Sequence, residues 1–291
     1  MRITEIEKQR KAQGRRMMSF EIFPPKGDLS VDSLRQTVSD LKLLAPDYIS
    51  VTYSAGGSGN TGKTAKLSSM IKKDYGVESM AHLTCINSST DDIRTMISEL
   101  KSAGIDNVLA LRGDRMEGAV TGELAHATDL IPLIKEAGMC VSAACYPEGH
   151  VESAAPERDI YYMRRKEALG VEHFISQLFF SNDCFYNFIN RVRQVGIEAS
   201  VSAGIMPILS KTQVTRMIFT CGASLPAEIV RILYKYENDA ESLRKAGIEY
   251  AATQICGLLE NTDCPIHIYA MNRPDIATSI IDIIKESGLD F

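Results

Sequence analysis

The sequence predicts an α/β fold, namely a single (β/α)8 barrel of the TIM type with an extra N-terminal helix. Three observations support this prediction. Short apolar runs rich in β-branched residues alternate with segments whose apolar residues recur at helical spacing. Glycine ends several helical segments and a new apolar run soon follows, at intervals of roughly thirty residues. No linker or shift in composition divides the 291 residues into two domains.

The elements are predicted in the following order. Residues 1–16 should form a peripheral helical extension, because they are charged and lack an apolar face large enough for a core. Residues 17–291 should form the barrel. The predicted strands are 17–23, 48–53, 80–85, 107–111, 140–146, 173–180, 199–206 and 265–271. The predicted helical segments are about 34–44, 64–75, 91–103, 125–137, 157–169, 183–195, 210–259 and 274–286.

Several boundaries have a local chemical reason. Pro24 and Pro25 stop the first strand, because proline cannot donate to a central ladder. Thr90 is predicted to cap the helix after the third strand. Glycine stops four helices, at Gly104, Gly138, Gly170 and Gly196. An open, doubly wound sheet is the structural alternative.

Composition excludes several classes of protein. A net charge of −5 without a basic block argues against nucleic acid. The N-terminus lacks the apolar segment of a signal peptide, and no apolar run is long enough to span a membrane. Seven cysteines without a CxxC pair predict reduced thiols in a cytoplasmic protein and no metal site. Zinc bound by Cys85, Cys140, Cys145 and His82 is the alternative.

Polar residues stand at the ends of the predicted strands. The run Asn107–Leu111 is followed by Arg112, Gly113 and Asp114, so a buried strand delivers two charged groups to one edge of the sheet. Other polar residues at or just past strand ends are Glu21, Thr52, His82, Tyr146, Gln177 and Arg273. Polar groups gathered at the carboxyl ends of parallel strands are typical of a barrel active site.

One motif points to a different function. Residues 57–64, GSGNTGKT, match the phosphate-binding P-loop pattern and lie between a predicted strand and a helix. Lys63 would then reach nucleotide phosphates, and Thr64 would hold magnesium. However, no acidic residue directly ends a neighbouring apolar strand to hold the metal, and glycines are also common in barrel loops. We favour the interpretation as a loop followed by a helix.

The strand ends together carry a resemblance to a known family. The fragments are FEIFPP (20–25), VTY (51–53), HLTC (82–85), LRGD (111–114), YPEGH (146–150), SQLFF (176–180), GIMPI (204–208) and YAMNR (269–273). In this order they resemble methylenetetrahydrofolate reductase, in the bacterial form that consists of the catalytic barrel alone. The resemblance implies a flavoprotein oxidoreductase that holds FAD noncovalently. It would reduce 5,10-methylenetetrahydrofolate to 5-methyltetrahydrofolate in one-carbon metabolism and methionine biosynthesis.

The resemblance implies two catalytic residues. Glu21 matches the general acid, and its apolar strand would desolvate the carboxyl and favour the protonated form. A buried ion pair with a lysine or arginine is the alternative. Asp114 matches the acidic residue near flavin and pterin, where a carboxylate stabilises developing positive charge. Substrate contacts are implied at Gln177, Met217, Met271 and Arg273; a surface salt bridge is the alternative for Arg273.

The resemblance also implies the residues that contact FAD. These are Thr52, His82, Leu111, Arg112, Gly113, Asp114, Ala127, Tyr146, His150, Arg165 and Lys166. Arg165 and Lys166 would face the pyrophosphate as paired cations. The alternatives are that the two histidines are structural and that the basic run 164–166 is a solvated helix face. The sequence departs from the family at two further positions. His126 stands where the family often has tyrosine, and Tyr162 stands where it can have asparagine, which weakens the FAD contacts implied at these two positions.

A further departure concerns the electron donor. The family can place a phenylalanine after the seventh strand to stack on folate and nicotinamide, and Met217 occupies that position, with Phe219 two residues away. Electrons would therefore come from NAD(P)H or from a partner protein, and the chain could form a homo-oligomer or join a larger complex. The competing functions are a P-loop nucleotide hydrolase, a non-catalytic barrel subunit of a redox complex and a flavin-free barrel enzyme such as an aldolase.

Overall fold

Eight parallel strands form a closed barrel in the computed structural model. The structure describes residues 1–25, 27, 29–53, 61–114 and 122–291, with the backbone alone for residue 61. Each strand pairs with the next, and β8 pairs with β1 to close the ring. The strands are β1 (Met18–Ile22), β2 (Tyr48–Val51), β3 (Glu78–Thr84), β4 (Asn107–Leu111), β5 (Cys140–Cys145), β6 (His173–Ser176), β7 (Ser200–Ile205) and β8 (Ile266–Ile268). The predicted (β/α)8 barrel is confirmed.

Helices surround the barrel and follow its strands. They are α1 (Ile3–Ala12), α2 (Arg35–Lys42), α3 (Thr61–Tyr75), α4 (Thr90–Ser102), α5 (Ala127–Glu136), α6 (Pro156–Ala168), α7 (Asn182–Gln194), α8 (Lys211–Cys221), α9 (Ala227–Lys235), α10 (Ala240–Asn261) and α11 (Pro274–Glu286). The main core lies between the outward side chains of the strands, such as Phe20 and Val108, and the helices, which contribute residues such as Ile255. None of the described helices combines the length and the apolar character needed to cross a membrane.

Two strands end three or more residues before their predicted ends. The sixth was predicted to reach residue 180, but β6 ends at Ser176. The backbone carbonyls beyond it are bound by side chains of α10, because Gln254 donates to Phe179 at 3.0 Å and Tyr250 donates to Phe180 at 2.6 Å. The eighth was predicted to reach residue 271, but β8 ends at Ile268. In both cases the chain stops pairing in the barrel before the predicted end.

The predicted cap of α4 is wrong by one residue. Ser89, not Thr90, is the N-cap residue: its hydroxyl accepts a hydrogen bond from the backbone N–H of Asp92 at 3.1 Å. The Asp92 carboxylate accepts the Ser89 N–H in return at 3.0 Å. This reciprocal pair satisfies two N–H groups that the first turn of a helix leaves free. Thr90 is the first helical residue.

The N-terminal helix is not peripheral, which corrects the sequence interpretation. Ile3 and Ile6 are buried, and they pack with barrel side chains that include Tyr48 and Met80. The Ile3 N–H also donates to the Asn107 side chain at 2.9 Å. Two apolar residues were too few to indicate a core face in the sequence, but they suffice here because α1 packs against the N-terminal ends of the strands.

A glycine inside α10 gives a test of helix packing. A Cβ at Gly247 would overlap the carbonyl oxygen of Ile208 and lie 2.8 Å from its carbonyl carbon. Gly247→Ala should therefore lower the free energy of unfolding by about 1–3 kcal/mol, although alanine favours a helix by about 1 kcal/mol. Gly62→Ala in α3 meets no atom within 4 Å and is the control. Urea denaturation of both variants measures the difference; equal stability of the two would contradict the packing argument.

Candidate active site

The tip of β4 is held in a fixed conformation at the C-terminal mouth of the barrel. The carbonyl oxygen of Arg112 accepts hydrogen bonds from the N–H groups of Cys85 and Ile86, at 3.1 and 2.9 Å. Gly113 follows with a φ of +91°, and a Cβ there would lie 3.1 Å from Cβ of Thr84. Only glycine fits such a close approach in the left-handed region. This turn directs Asp114 to the mouth.

A cavity of about 840 Å³ opens at the C-terminal ends of the strands. Its size lies in the upper part of the range of roughly 300–1,000 Å³ that is usual for ligand pockets. All but three of the predicted site residues line it. They are Glu21, Thr52, His82, Leu111, Arg112, Gly113, Asp114, Ala127, Tyr146, His150, Lys166, Gln177 and Met217. The strand-end residues therefore do converge on one site.

Glu21 faces two histidines at the bottom of this cavity. Its Oε2 lies 3.6 Å from Nε2 of His82 and 3.8 Å from Nε2 of His267. The side chain of Glu21 is 14% exposed. Both Nε2 atoms are buried and have no hydrogen-bond partner among the residues that the structure describes. Because buried polar atoms are normally satisfied, these nitrogens mark a place where a polar ligand or a small movement of Glu21 would complete the site.

The two histidines differ in how they are held. Burial lowers the pKa of His82 to about 4, although the Glu21 carboxylate opposes this shift, so that its imidazole is neutral near pH 7. His267 is fixed from behind, because its Nδ1 lies 2.7 Å from the hydroxyl oxygen of Ser19. No arginine or lysine is recorded in contact with Glu21 among the described residues, so the predicted alternative of a buried ion pair with one of these cations has no support.

The sequence analysis missed three residues of this site. His267 faces Glu21, Ser19 binds His267, and Tyr269 lines the cavity and packs its ring against His267 at 5.2 Å. A signal was available, because side chains two residues apart in a strand share a face. Ser19 precedes Glu21 by two residues, and Tyr269 follows His267 by two.

Arg112 and Lys166 place two basic side chains on the lining of the cavity. Arg112 forms two parallel hydrogen bonds with Glu152, at 2.7 and 2.9 Å, which raise the pKa of its guanidinium. The ammonium of Lys166 donates to the carbonyl of Ala144 at 2.9 Å, and burial lowers its pKa. The Nδ1 of His150 accepts the N–H of Glu152 at 3.1 Å, which matches a neutral imidazole.

The structure separates Arg165 from Lys166, which corrects the prediction of paired cations. Lys166 lines the cavity, whereas Arg165 is exposed and does not line it. The guanidinium carbon of Arg165 lies 5.9 Å from the ring centre of Tyr162, which is at the cavity wall. Adjacent residues of a helix point about 100° apart, so two consecutive cations cannot face one ligand from the same direction.

Two predicted substrate contacts also lie outside the described cavity. Arg273 is exposed and forms a double hydrogen bond with Asp275, at 3.0 and 2.9 Å, which is the salt bridge considered as its alternative. Met271 has a φ of +50°, and its sulfur accepts from Gln213 at 3.6 Å. Both residues lie beyond Ile268, the last residue of β8, so the strand no longer sets the direction of their side chains.

The remaining substrate candidates line the cavity. The side-chain oxygen of Gln177 accepts the N–H of Leu178 at 2.9 Å, which leaves its amide N–H groups as donors. Met217 lines the wall, whereas Phe219 is 80% exposed and does not. α8 therefore lines the cavity with Met217 and Cys221, and no aromatic ring replaces Met217 from position 219.

The last residues of the P-loop-like motif have structural partners. The ammonium of Lys63 donates to the backbone carbonyls of Pro25 and Gly27, and the buried hydroxyl of Thr64 donates to Thr52 at 3.1 Å. Residues 57–60 of the motif lie outside the described part of the chain. Because the side chains of Lys63 and Thr64 bind backbone carbonyls, the structure favours a loop followed by a helix over a nucleotide-binding site.

The zinc alternative has no support in the described part of the chain. Among those residues, no group of three or more histidines, cysteines, aspartates or glutamates is placed to hold a metal ion. Cys85, Cys140 and Cys145 are buried free thiols, and the sulfur of Cys85 lies 3.5 Å from the carbonyl oxygen of His126.

Comparison with known proteins gives the family context. A family model described as methylenetetrahydrofolate reductase matches residues 6–286. The 5,10-methylenetetrahydrofolate reductase of Escherichia coli (strain K12) is 31% identical over 269 residues, which cover 92% of this chain and 90% of that protein. A probable methylenetetrahydrofolate reductase (NADH) of Oryza sativa subsp. japonica is 33% identical over 310 residues. The chain spans about half the length of the plant relatives that it matches, 52% of the rice protein.

A solved structure supports the fold alone. It is described as an uncharacterized protein from Clostridium thermocellum that binds two copies of 5-methyl-5,6,7,8-tetrahydrofolic acid. The TM-score is 0.65 at 13% identity, and the match covers 97% of this chain and 98% of that one. At this level of identity the likeness concerns the arrangement of strands and helices.

The buried histidines predict a pH dependence of stability. Burial lowers the pKa of His173 in β6 to about 4, against 6.5 for an ordinary histidine. The unfolded chain therefore binds more protons between pH 6.5 and 4, so stability falls as the pH falls through this window. His173→Gln should reduce that loss by up to about 3 kcal/mol. Urea denaturation from pH 7 to 4.5 measures it, with His126→Gln as the exposed control. Parallel curves for wild type and His173→Gln would refute the argument.

Proposed function

Because the chain belongs to the methylenetetrahydrofolate reductase family, we propose that it reduces 5,10-methylenetetrahydrofolate to 5-methyltetrahydrofolate with FAD as cofactor. The proposal includes a place in one-carbon metabolism and methionine biosynthesis and a cytoplasmic location. Identity of about a third over nearly the whole chain supports the reaction type. The assignment of individual residues depends on the geometry of the cavity.

The observation that supports the proposal most is the shared position of two carboxyl groups. Glu21 from β1 and Asp114 from the tip of β4 line the same cavity at the same end of the barrel. The reaction needs a proton donor to open the five-membered ring of the substrate, and it needs a negative group near the cation that forms. Carboxyl groups at opposite ends of the barrel would have excluded this division of roles.

Glu21 is suited to hold and transfer the proton. Its carboxyl lies at the bottom of the cavity, largely shielded from water, with one oxygen facing two imidazoles. Transfer of its proton to the substrate nitrogen breaks the carbon–nitrogen bond of the ring and leaves an iminium cation. The carboxylate that remains accepts hydrogen bonds only, so a small movement towards His82 or His267 would stabilise it.

Asp114 is suited to stabilise the positive charge. It is exposed at the mouth, near the guanidinium of Arg112 and the thiol of Cys221, whose pKa values it influences. A carboxylate there can accept hydrogen bonds from the pterin and attract the iminium cation. Gln177 adds amide N–H donors on the wall of the same cavity. Together they would orient the pterin between the two carboxyl groups.

The cavity also fits a flavin dinucleotide. Its volume of about 840 Å³ is large, and Arg112 and Lys166 supply cations on its lining. The tight turn at Gly113 lets a ligand approach the backbone, and the unpartnered Nε2 of His82 offers a polar contact below it. When bound, FAD supplies the hydride that reduces the iminium carbon. The residues of the chain then bind the ring system, exclude water and hold the proton.

The electron donor is the least constrained part of the proposal. Met217 fills space at the cavity wall but offers no ring for stacking on nicotinamide. The names of the plant relatives include NADH, which makes NADH the first donor to test. NADPH and a partner protein are the other candidates. Reduction by dithionite bypasses this choice and allows the folate half of the reaction to be studied alone.

The role of Glu21 predicts a separation of the two half-reactions. Glu21→Gln keeps the shape of the side chain but removes the acid, so reoxidation of the reduced flavin by methylenetetrahydrofolate should slow by at least about a hundredfold. Reduction of the flavin by its donor should change little, because it needs no proton from Glu21. Stopped-flow absorbance of the flavin measures both steps, with Glu99→Gln on the surface of α4 as the control.

Three outcomes would change the proposal. Loss of both half-reactions in Glu21→Gln, with flavin still bound, would refute the role of Glu21. A wild-type protein that binds flavin but shows no folate turnover after dithionite reduction would support the non-catalytic subunit. A colourless protein that hydrolyses Mg-ATP, with hydrolysis lost in Lys63→Ala, would support the P-loop alternative.

The role of Asp114 predicts a defect confined to folate. Asp114→Asn removes the negative charge but keeps the size, so the folate half-reaction should slow by about 10²-fold. The variant should still bind flavin, and the rate of flavin reduction by dithionite should match that of the wild type. The same stopped-flow assay, run over a range of folate concentrations, separates weaker binding from slower reduction. Wild-type kinetics for both would remove Asp114 from the mechanism.

A further inference from the structure

The interior of the barrel below Glu21 contains several buried polar side chains beside apolar ones such as Met80. In most (β/α)8 barrels, branched apolar residues fill this space. Here, hydroxyl and imidazole groups with at most 1% exposure lie between the cavity and α1. They are Ser19, Tyr48, Ser142, His173, Ser202 and His267. Buried polar groups reduce stability unless they are hydrogen-bonded, so their arrangement calls for an explanation.

Two histidine–serine groups account for most of these residues. In the first, Nδ1 of His267 lies 2.7 Å from the hydroxyl oxygen of Ser19. In the second, Nε2 of His173 lies 2.8 Å from the hydroxyl of Ser202, and its Nδ1 lies 3.1 Å from the hydroxyl of Ser142. The second group is complete, because both ring nitrogens have partners. The first has one open atom, the Nε2 of His267 that faces Glu21.

Tyr48 lies between the two groups. Its ring stacks on His267 with a centroid distance of 6.2 Å and meets the edge of His173 at 6.5 Å. The phenol is buried and forms no hydrogen bond of ordinary geometry with the described residues. Burial raises its pKa, and the hydroxyls of Ser19 and Ser202 oppose that rise. Ser19 binds His267 and Ser202 binds His173, so each imidazole beside the Tyr48 ring is bound to one of these serines. A small rotation of these hydroxyls would link both groups through Tyr48.

The direction of each hydrogen bond follows from the Glu21 end. A carboxylate only accepts, so the His267 atom that faces it should be the protonated Nε2–H, and its Nδ1 then accepts from Ser19. Once Tyr48 links the two groups, Ser19, which donates its hydrogen to His267, would accept from the phenol, and the phenol would accept from Ser202. Ser202 accepts the Nε2–H of His173, whose Nδ1 accepts from Ser142. Every group between Ser142 and Glu21 would then donate once and accept once, and such chains are cooperative.

We propose that Tyr48 is a positioning residue that fixes the tautomer of His267, so that an imidazole N–H faces the Glu21 carboxyl. The effect of Tyr48 on catalysis rests on the proposed function, whereas its effect on the tautomer of His267 does not. Without the phenol, Ser19 can turn its hydrogen to the carbonyl oxygen of Ile266, which lies 3.4 Å away. His267 is then free to carry its hydrogen on Nδ1, and a lone pair on Nε2 would face Glu21.

The change of tautomer alters how readily Glu21 releases its proton. A facing N–H stabilises the carboxylate, whereas a facing lone pair holds the proton on the carboxyl group. The other groups around Glu21 are His82 from β3 and Tyr269, which directly follows β8. Those near Tyr48 include Glu7 of α1 and Asp47, which precedes β2. Tyr48→Phe leaves all of these in place, so it isolates the effect of the phenol.

The tautomer can be measured in the protein without cofactor or substrate. Histidine side-chain ¹⁵N NMR at pH 7.5 distinguishes the two neutral tautomers, and the His267→Asn variant identifies the signals of His267. Wild type should carry the hydrogen on Nε2. Tyr48→Phe and Ser19→Ala should both lose that preference, whereas Tyr186→Phe, which removes the hydroxyl that donates to Gly257 in α10, should not. A hydrogen on Nδ1 in wild type, or an unchanged tautomer in Tyr48→Phe, would overturn the proposal.

Kinetics supply a second, independent measurement. In Tyr48→Phe the folate half-reaction should slow by about tenfold. The pH at which its rate has fallen to half on the alkaline side should rise by about half a pH unit to one unit. Reduction of the flavin by dithionite should match that of Tyr186→Phe. If wild type does not reoxidise reduced flavin with methylenetetrahydrofolate, the proposed function fails, and the tautomer result still stands. If wild type does reoxidise the flavin, and the pH–rate profile of Tyr48→Phe is the same as that of wild type, then Tyr48 has no effect on catalysis. The proposed function stands in that case.

Discussion

The pairing of β1 with β8 is the constraint on which the site depends. The two strands are at opposite ends of the barrel sequence, and their ladder joins Phe20 to Ile268 and Ser19 to His267. This ladder brings the imidazole of His267 to within 3.8 Å of the Glu21 carboxyl. Since β1 also pairs with β2, Glu21 sits in the interior with a strand on each side. In an open sheet, edge strands would separate these groups.

The buried polar side chains show how a barrel can support a reactive carboxyl group. Imidazoles buried away from water become neutral, even where a carboxylate opposes the shift as Glu21 does at His82, and the pKa values of His82 and His173 fall to about 4. A neutral imidazole needs one donor and one acceptor, and serine hydroxyls supply either. The N-terminal helix α1 packs against the other end of the strands. The mouth therefore stays open for ligands while the groups beneath it remain dry and ordered.

Much of the site was accessible from sequence because of a simple rule. The carboxyl ends of parallel strands meet at one face, so residues such as Glu21, Asp114 and Gln177 were expected to converge, and they line one cavity. The rule failed where the chain no longer followed a strand. The sequence predicts that Met271 and Arg273 contact the substrate from the end of the eighth strand, but β8 ends three residues before Met271.

Other features depended on directions and partners that no local pattern reveals. The GSGNTGKT segment matches a phosphate-binding motif, yet Lys63 and Thr64 bind backbone carbonyls of two other segments. Whether a lysine faces a ligand or a carbonyl depends on what the fold brings near it. The amino-acid order determined the strands, the helices and the chemistry at the strand ends, because periodicity and composition are local properties. Only the closed barrel decided that His267, Ser19 and Tyr48 would lie beneath Glu21, because those contacts join residues far apart in the chain.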